Sequence, residues 1–313
     1  MNTALYSPQA CRLHDMARGH PECPERLDAI LDHFRATGLD ALVEYRDAPL
    51  AQPEQLARAH SAAYVAEMLE TMAQCAAAQR ARPVDPDTTV APHTREAALR
   101  AAGAAVAATD AVLAGEVRNA FCAVRPPGHH ATRDAAMGFC FFNNVAVAAR
   151  HALDVHGLER VAVIDFDVHH GNGTEDIVAG DARILMCSFF QHPLYPYSGT
   201  EPLGPNTVNV PLAPYTRGPA VREAIEREWL PALERHRPQM IFVSAGFDAH
   251  REDDLGQMGL VEADYAWITR RLLEVAERHA QGRLVSCLEG GYHLGALARS
   301  AAAHLRELAG VAA

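Results

Sequence analysis

The sequence predicts a three-layer α/β protein in which helices cover both faces of a central, mostly parallel sheet. Short apolar runs rich in β-branched residues recur along the chain. These runs are continuous rather than alternating, which is typical of strands buried on both faces. Helical segments separate the runs, and alternating strands and helices favour parallel strands joined by helical crossovers.

The apolar runs predict six strands. In chain order they are Ala120–Val124, Val161–Val168, Ile184–Phe189, Val208–Leu212, Met240–Ala245 and Leu284–Leu288. The segments between them predict helices at Arg95–Leu113, Val145–Leu153, Val221–His236 and Ala263–His279. Thr94 is the expected N-cap of the first helix, and Gly115 follows its end. No repeat or linker interrupts the pattern, so we expect residues 1–313 to form a single domain.

Composition and charge exclude several functional classes. Of the 313 residues, 49% are hydrophobic and 21% are charged, as in ordinary globular proteins. The net charge is −11 at pH 7 and basic residues do not cluster, so we expect no direct nucleic-acid binding. The sequence shows neither a signal-peptide pattern nor an apolar stretch long enough for a membrane span. The seven cysteines form no CxxC motif, which favours reduced thiols and a cytoplasmic location.

Polar residues follow four of the predicted strands. Arg125–His130 follows the first strand, and Asp165–His170 closes the second. Asp248 follows the fifth strand and Tyr292 follows the sixth. In open α/β sheets, ligands bind beyond the carboxyl ends of the strands. The sequence therefore predicts that these four segments meet in one site.

The residue types in these segments indicate a metal site. Asp165, Asp167 and His169 alternate with two apolar residues, so on an extended backbone their side chains would share one face. Asp167, His169 and Asp248 supply two carboxylates and one imidazole. Three such ligands suit a catalytic zinc, because they leave a fourth position open for water or substrate.

Other residues of the four segments can supply the remaining chemistry of amide hydrolysis, which needs a base, an acid and a donor for the oxyanion. His129 and His130 can transfer protons, and Tyr292 can donate its O–H. Asp165 can accept a hydrogen bond from one histidine and so set its tautomer. Each motif alone is more often structural, and their joint occurrence after separate strands favours function.

Together these motifs resemble those of the zinc-dependent histone deacetylase family, which includes bacterial acetylpolyamine amidohydrolases. The resemblance extends from His20–Arg26 to Glu289–Tyr292, which is nearly the whole chain. Its most specific segments are Arg125–His130, Gly138–Asn144, Asp165–Gly173 and Ser244–Asp248. It implies the arginase/deacetylase fold and a single, class II-like deacetylase-type catalytic domain over residues 1–313.

The same resemblance implies which residues bind metals. Asp167, His169 and Asp248 match the ligands of one Zn²⁺ per chain. The family also carries monovalent cation sites, which implies a potassium ion near the zinc. Its ligands would be largely carbonyl oxygens of Asp165, Asp167, His169, Ser188 and Phe189.

Catalytic roles also follow from the resemblance. His130 matches the general base that handles the attacking water. His129, paired with Asp165, would assist electrostatically or as the acid. Tyr292 would donate a hydrogen bond to the scissile carbonyl and to the oxyanion that forms from it.

The resemblance further implies residues that contact the substrate. Gly138 and Phe139 would line a narrow tunnel, with an aromatic side chain from Phe190–Tyr197 opposite. Arg26 matches an arginine beneath the zinc, and Asp87 is expected to hold the substrate backbone at the rim. Leu255 stands where a polyamine-selective relative has glutamate.

Three departures from the family pattern bear on the function. Asn172 replaces the aspartate that orients the second histidine in many members, and class II-like members share this asparagine. Phe190 and Gln191 replace the usual histidine after Ser188. The apolar Leu255 suits an acyl-lysine chain better than a second ammonium group, although the net acidity of the chain would tolerate a cationic substrate.

The sequence therefore favours a zinc-dependent deacylase acting on an acyl-lysine peptide or protein, or on a small acylated amine. One alternative is an acetylpolyamine amidohydrolase. Another is an arginase-type ureohydrolase with two manganese ions. That chemistry requires further carboxylates, and His250 and Asn172 stand where those carboxylates would be expected, which disfavours this alternative. A third is an inactive protein that binds acyl-lysine. The sequence does not specify an oligomeric state.

Overall fold

The fold is organised around one eight-stranded sheet, seen in a computed structural model that describes residues 2–311. Neighbouring strands are all parallel, in the order β2-β1-β5-β10-β9-β6-β7-β8, and β3 and β4 form a separate antiparallel hairpin. The strands are β1 (Thr3–Tyr6), β2 (Val43–Arg46), β3 (Arg82–Asp85), β4 (Thr88–Val90), β5 (Asn119–Cys122), β6 (Val161–Asp165), β7 (Ile184–Gln191), β8 (Thr207–Leu212), β9 (Ile241–Ala245) and β10 (Leu284–Leu288). The predicted central parallel sheet is confirmed.

Helices cover both faces of this sheet. They are α1 (Glu25–Ala36), α2 (Pro53–Leu56), α3 (Ala62–Ala78), α4 (Thr94–Leu113), α5 (Asn144–Asp154), α6 (Asn172–Val178), α7 (Gly218–Ala224), α8 (Leu230–His236), α9 (Glu262–His279) and α10 (Leu294–Leu308). A π-helical segment, Ile225–Trp229, joins α7 to α8. Helices α4 and α5 pack together on the central strands, and α1, α10 and α9 form a second group. The central strands are buried on both faces between the two groups, as their continuous apolar sequences predicted.

The six predicted strands are all present, but the sequence did not reveal β1, β2 or the β3–β4 hairpin. Strand β2 lies at the sheet edge and is only half-buried, so its sequence lacks a continuous apolar run. Strand β1 is fully buried but has only four residues. Helices α1, α2, α3, α6 and α10 were also not predicted. Within the described residues, no helix is long and apolar enough to cross a membrane.

Two local predictions were wrong. Thr94 is the first residue of α4 rather than its N-cap, and its Oγ1 instead accepts a hydrogen bond from Ala91 N at 2.7 Å. The strand predicted over Val161–Val168 ends at Asp165, because the chain turns there and runs into the loop that precedes α6. Asp167 and His169 therefore lie in a loop rather than on a strand.

Candidate active site

The four polar segments lie at one edge of the sheet, because the strands that precede them are immediate neighbours. Strands β5, β10, β9 and β6 are adjacent and parallel at the centre of the sheet. Their carboxyl ends consequently point the same way. The loops after them carry the histidine pair, Tyr292, Asp248 and the Asp167–His169 segment. The convergence expected from the sequence is therefore observed.

Asp167, His169 and Asp248 form a cluster of possible metal ligands. One ligand atom from each lies within 4.8 Å of the others. His169 Nδ1 is 3.0 Å from Asp167 Oδ1 and 3.2 Å from Asp248 Oδ2. Both carboxylates are fully buried, and the histidine is 8% exposed. Of the three residues, His169 lines the cavity described below, so the cluster can be reached from that cavity.

Backbone hydrogen bonds hold the cluster in a series of tight turns. Asp167 N donates to Asp165 Oδ1 at 3.1 Å, and His169 N donates to Asp167 Oδ1 at 2.9 Å. Val168 N donates to Asp248 Oδ1 at 2.9 Å. The spacing of two residues between Asp165, Asp167 and His169 thus arises because each aspartate side chain accepts a hydrogen bond from the backbone amide two residues later. The prediction that these side chains share one face of a strand was wrong for Asp167 and His169.

Two glycines leave space for the carboxylates. A Cβ added at Gly246 would lie 2.0 Å from Asp167 Oδ2. A Cβ added at Gly290 would lie 2.0 Å from Asp248 Oδ2 and 2.6 Å from Asp167 Oδ2. Gly290 N also donates to Asp167 Oδ2 at 2.8 Å. Any other residue at these positions would displace the carboxylates.

The electrostatics of the cluster call for a cation. Burial and the neighbouring charge of Asp167 raise the pKa of Asp248 to about 7. Burial also favours the neutral form of Asp167, but the positive charges of His129 and His169 outweigh it and lower the pKa of Asp167. Two buried carboxylates facing one imidazole are unfavourable unless a cation lies between them. The donor set, two carboxylate oxygens and one ring nitrogen, fits a divalent transition metal.

His129 is held against the carboxylate of Asp165. Its Nδ1 is 3.0 Å from Asp165 Oδ2, and its Nε2 is 3.8 Å from Asp167 Oδ2. Burial alone would lower the pKa of His129, but the charges of Asp167 and Asp165 outweigh it and raise the pKa well above its ordinary value. His129 therefore favours the imidazolium form.

His130, whose ring stacks at 4.0 Å from that of His129, is in a different environment. Its Nδ1 is 2.8 Å from Asn172 Oδ1, and Asn172 Nδ2 is directed to Met137 Sδ at 3.3 Å. Because an amide oxygen only accepts, Nδ1 carries the proton and Nε2 is left as an acceptor. Burial, followed by the charges of His129 and His169, lowers the pKa of His130 well below its usual value. The neutral ring can accept a proton.

Tyr292 is held by its backbone and by its ring. Its N donates to Asp253 Oδ2 at 2.7 Å, and the Arg26 guanidinium lies 5.0 Å from the ring centroid. Arg26 Nε donates to Gly291 O at 2.6 Å and Nη1 pairs with Glu22 Oε1 at 3.0 Å. Burial, and then the charge of Asp248, raise the pKa of Tyr292 well above its usual value. The phenol therefore keeps its proton.

A cavity of about 250 Å³ leads to these groups. Its lining consists of Asp87, His130, Gly138, Phe139, His169, Leu194, Tyr195, Tyr197, Leu255 and Tyr292. Gly138 and Phe139 have φ angles of 56° and 69°. A Cβ at Gly138 would lie 2.4 Å from the His130 ring, so both the backbone conformation and the space require glycine.

The structure also locates the remaining predicted site residues. Asp87 Oδ1 accepts from Gly138 N at 3.0 Å, so the aspartate supports the cavity wall as well as lining it. Arg26 lies behind Tyr292 and is not part of the lining. Ser188 is the register partner of Asp165, one strand away from the cluster. Phe189 stacks on Trp229 in the core with ring centroids 5.5 Å apart, so only its backbone can serve a cation near the cluster.

Sequence reasoning missed three residues that shape the site. Tyr195 lines the cavity, and its ring centroid is 5.2 Å from that of His130. Asp253 holds the backbone of Tyr292, as described above. Glu289 Oε2 accepts from Gly128 N at 2.7 Å and from His129 N at 3.1 Å, which fixes the loop of the histidine pair. The Phe190–Tyr197 range contained Tyr195 and the Glu289–Tyr292 segment contained Glu289, but neither residue was given a role, and no sequence signal singled out Asp253.

Comparisons with known proteins identify the family. A sequence model described as the histone deacetylase domain matches residues 20–308. A histone deacetylase-like amidohydrolase of Pseudomonas aeruginosa is 44% identical over 305 residues, covering 94% of this chain and 78% of the relative. The mouse polyamine deacetylase HDAC10 is 39% identical over 302 residues, covering 92% of this chain and 45% of the relative.

A solved structure gives the same result. The crystal structure of the HDA15 HD domain superposes with a TM-score of 0.91 at 31% identity, covering 99% of this chain and 90% of that one. The chain therefore belongs to the histone deacetylase family. The predicted deacetylase fold is confirmed, and so is the predicted class of activity, an amide-hydrolysing deacetylase.

Proposed function

We propose that this protein is a zinc-dependent deacylase that removes an acyl group from Nε-acyl-lysine or a similar linear amide. One observation carries the proposal. The Asp167, His169 and Asp248 cluster lies at the end of a narrow cavity whose wall contains both His130 and Tyr292. A linear acylated side chain can enter such a cavity and present its amide to all of these groups.

Asp167, His169 and Asp248 would hold one Zn²⁺. When bound, the ion polarises the scissile carbonyl and lowers the pKa of water. The three residues come from two adjacent strand ends, so a single ion is within reach of all three. With His169 neutral, as a metal ligand must be, the two buried carboxylates carry a negative charge that a divalent cation would offset, which supports the proposal.

The proton transfers would be carried out by the histidine pair. His130 exposes an unprotonated Nε2, because Asn172 holds the proton on Nδ1, so it can accept a proton from the attacking water. His129 is paired with Asp165 and can stabilise the negative charge that develops, or return a proton to the leaving amine. Tyr292 can donate a hydrogen bond to the carbonyl oxygen as it becomes an oxyanion.

The substrate class rests on the cavity lining. Gly138, Phe139 and Leu255 give it apolar surface that suits a methylene chain, and the residues described as lining it include no lysine or arginine. A peptide-borne acyl-lysine fits this lining, because its polar backbone would stay outside near Asp87. Arg26, behind Tyr292, would hold the phenol in place. It would also assist release of the carboxylic acid that deacylation produces.

An acetylpolyamine is the second candidate substrate. The carboxylate of Asp87 in the lining can attract an ammonium group. Two relatives, from mouse and human, are named polyamine deacetylase. The uncharged Leu255 favours acyl-lysine, because it offers no partner to a second ammonium group along the chain.

A parallel assay tests the function. The metal-free protein is reconstituted with one equivalent of Zn²⁺ and assayed with an acetyl-lysine peptide, N-acetylputrescine and N-acetylcadaverine. We expect the highest kcat/KM with the peptide. A preference for an acetylated diamine would replace the lysine assignment with the polyamine one. Binding without turnover of any acylated amine would contradict the enzyme assignment and favour an acyl-lysine-binding protein.

The ureohydrolase alternative has less support. His250 Nδ1 accepts from Glu252 N at 3.1 Å and His250 Nε2 is 3.5 Å from Glu262 Oε1, so both ring nitrogens face residues outside the Asp167 cluster. Asn172 is bonded to His130 and supplies no bridging carboxylate. Among the residues that the structure describes, the metal-ligand cluster at this site has three members, which suits one ion better than two.

A potassium ion near the zinc site belongs to the same proposal. Ser188 and Asp165 face each other in register on adjacent strands, and Ser188 Oγ lies 3.4 Å from Phe189 O. Carbonyl oxygens of Asp165, Asp167, His169, Ser188 and Phe189 would coordinate the ion. Exchange of K⁺ for Na⁺ at constant ionic strength should change the melting temperature, and equal values in both salts would argue against the site.

The remaining parts of the proposal concern the whole chain. Residues 1–313 would act as one catalytic domain, which the match over residues 20–308 supports. The partners would be acylated peptides, proteins or small amines, without nucleic acid or membrane. A cytoplasmic location would fit the seven unpaired cysteines, six of which are buried.

A further inference from the structure

A second group of side chains with metal-binding chemistry lies at the opposite end of α5 from the candidate active site. Helix α5 begins at Asn144, whose Nδ2 donates to Pro126 O at 3.2 Å in the histidine-pair loop. Its 11 residues span about 16 Å. His151 is in its last turn, His156 follows it, and Asp110 is in the last turn of α4. We call these three residues the α4–α5 cluster.

The geometry of the α4–α5 cluster is convergent. His151 Nε2 and His156 Nε2 lie 2.7 Å and 2.6 Å from the same atom, Asp110 Oδ1. One ligand atom of each residue lies within 4.8 Å of the others. The His151 side chain is 6% exposed, whereas those of His156 and Asp110 are 31% and 50% exposed. An ion from solvent can therefore reach the cluster, and water can complete its coordination.

The electrostatics of the two helices favour a cation here. The C-terminus of a helix carries partial negative charge, so an aspartate in the last turn of α4 is unfavourable by itself. The C-terminus of α5 adds further negative potential at the same place. Burial alone would raise the pKa of Asp110, but hydrogen bonds with His151 and His156 lower it. The carboxylate is therefore ionised at neutral pH.

We propose that Asp110, His151 and His156 form a second metal site, which binds one divalent transition metal ion of the zinc class. The ligand atoms would be Asp110 Oδ1 and the two Nε2 atoms, with water in the remaining position. Two imidazoles select such ions over Ca²⁺ or Mg²⁺, which prefer oxygen ligands. The bound ion would join the end of α4 to the end of α5.

Small movements suffice to admit the ion. Ligands at about 2.05 Å from a tetrahedral zinc lie about 3.3 Å apart. The two imidazole nitrogens are now in hydrogen-bond contact with Asp110 Oδ1, so each must withdraw by about 0.6 Å. His156 lies outside the helix and is exposed, so it can move that far by side-chain rotation.

One contact opposes metal binding and makes the proposal more testable. Arg58 Nη1 lies 3.4 Å from His151 Nδ1. Ligation through Nε2 leaves the proton of a neutral imidazole on Nδ1, where it would face the N–H groups of Arg58. Arg58 must then turn aside. In Arg58→Gln, an amide oxygen can accept from Nδ1 instead, so this variant should bind the second ion more tightly.

Zinc titration of the metal-free, full-length protein tests the proposal. We expect two Zn²⁺ per chain after desalting, measured by inductively coupled plasma mass spectrometry, and a further rise in melting temperature with the second equivalent. His156→Gln should retain one Zn²⁺ and keep its deacylase activity, and its affinity for the second ion should fall at least about tenfold. Asp110→Asn is a second variant with the same expected loss.

The matched control is His279→Gln, because His279 Nε2 contacts Glu234 Oε2 at 2.7 Å without a second histidine. This variant should still bind two Zn²⁺. A single Zn²⁺ in the unmodified protein, or two in both His156→Gln and Asp110→Asn, would overturn the proposal. So would weaker binding in Arg58→Gln. A second ion that is lost in Asp248→Asn but kept in His156→Gln would belong to a binuclear active site instead.

Discussion

The phenol of Tyr292 and the imidazole of His130 both reach the cavity, but different contacts orient them. The ring of Tyr292 lies between Arg26 and Phe139, whose ring centroid is 6.0 Å away. His130 is oriented by Asn172 through its Nδ1. Each side chain therefore presents one defined hydrogen-bonding atom to the cavity, and each proposed role can be tested by removing that atom.

Replacing Tyr292 with phenylalanine should separate catalysis from binding. The variant lacks the O–H that would stabilise the oxyanion, and loss of one such donor lowers kcat about 10²- to 10³-fold. Steady-state kinetics should show this fall in kcat, while Zn²⁺ content and inhibitor affinity stay within a few-fold. Tyr197→Phe is the control, because Tyr197 is 74% exposed at the cavity rim. Equal activity of both variants would rule out the proposed role of Tyr292.

A buried histidine should make stability depend on pH. Burial lowers the pKa of His304 to about 3. Its Nδ1 contacts Thr269 Oγ1 at 2.7 Å and its Nε2 contacts Ser286 Oγ at 2.9 Å. Between about pH 6.5 and pH 3 the unfolded chain binds a proton at this position that the folded chain does not. This residue therefore lowers the unfolding free energy by about 1.4 kcal/mol for each unit that the pH falls.

Substitution of His304 isolates this contribution. Urea unfolding of the unmodified protein and of His304→Gln between pH 6 and pH 4 should give a shallower pH dependence for the variant. The difference should approach about 1.4 kcal/mol per pH unit, although the variant is less stable at every pH. Parallel curves would mean that His304 is protonated in the folded protein.

At the scale of the elements, loops rather than strands carry the site. The carboxyl ends of strands β6, β9 and β10 lie side by side in the sheet, so the loops that follow these strands lie close together. Gly246 and Gly290 allow these loops to approach, because a side chain at either position would meet a carboxylate. Adding a side chain at either glycine should therefore disturb the metal-ligand cluster.

Gly290→Ala should reduce metal binding. The added Cβ would meet Asp248 Oδ2 at 2.0 Å, so the carboxylate must move away from His169. We expect the Zn²⁺ affinity to fall at least about tenfold and the activity to fall with it. Chelator competition measures the first effect. Gly295→Ala is the control, because its nearest contact is the flexible end of Arg299 at 3.3 Å, and unchanged affinity in Gly290→Ala would contradict the packing argument.

At the scale of the whole molecule, a buried ionic group connects the N-terminal segment to the centre of the sheet. Glu22 binds Arg125, which follows β5, and Arg26, which contacts the backbone after β10. All three side chains are fully buried. Burial alone would raise the pKa of Glu22, but the charges of Arg125 and Arg26 outweigh it and lower the pKa to about 2.

Glu22→Gln should destabilise the whole fold. It leaves two buried guanidinium groups without their counter-charge, and breaking such a pair costs about 3–5 kcal/mol. Urea unfolding at pH 7 measures the loss. The control is Glu25→Gln, because Glu25 is exposed at the start of α1, and it should change stability by less than about 1 kcal/mol. A loss below about 1 kcal/mol for Glu22→Gln would contradict the argument that the two buried guanidinium groups depend on this carboxylate.

Much of the fold and the site could be predicted from the sequence, for identifiable reasons. The buried strands other than β1 were predicted because both faces need apolar side chains, which gives continuous apolar runs. The edge strand β2 was not, because half of its surface faces solvent. The residues Asp167, His169, Asp248 and Tyr292 were identified by type and position after strands. Asp253 was not, because a carboxylate that accepts from a distant backbone has no local signature.

The sequence by itself determined the α/β class, the deacetylase family and the set of polar residues at the strand ends, because these depend on residue type and local order. The sequence predicted that the four polar segments meet, and only the tertiary structure decided which other residues join them. Strand order made β5, β10, β9 and β6 neighbours. The loop after β7 brought Tyr195 to the cavity wall, and packing of α4 on α5 joined Asp110 to His151 and His156. Contacts between residues far apart in the chain depend on packing, and no local sequence pattern encodes them.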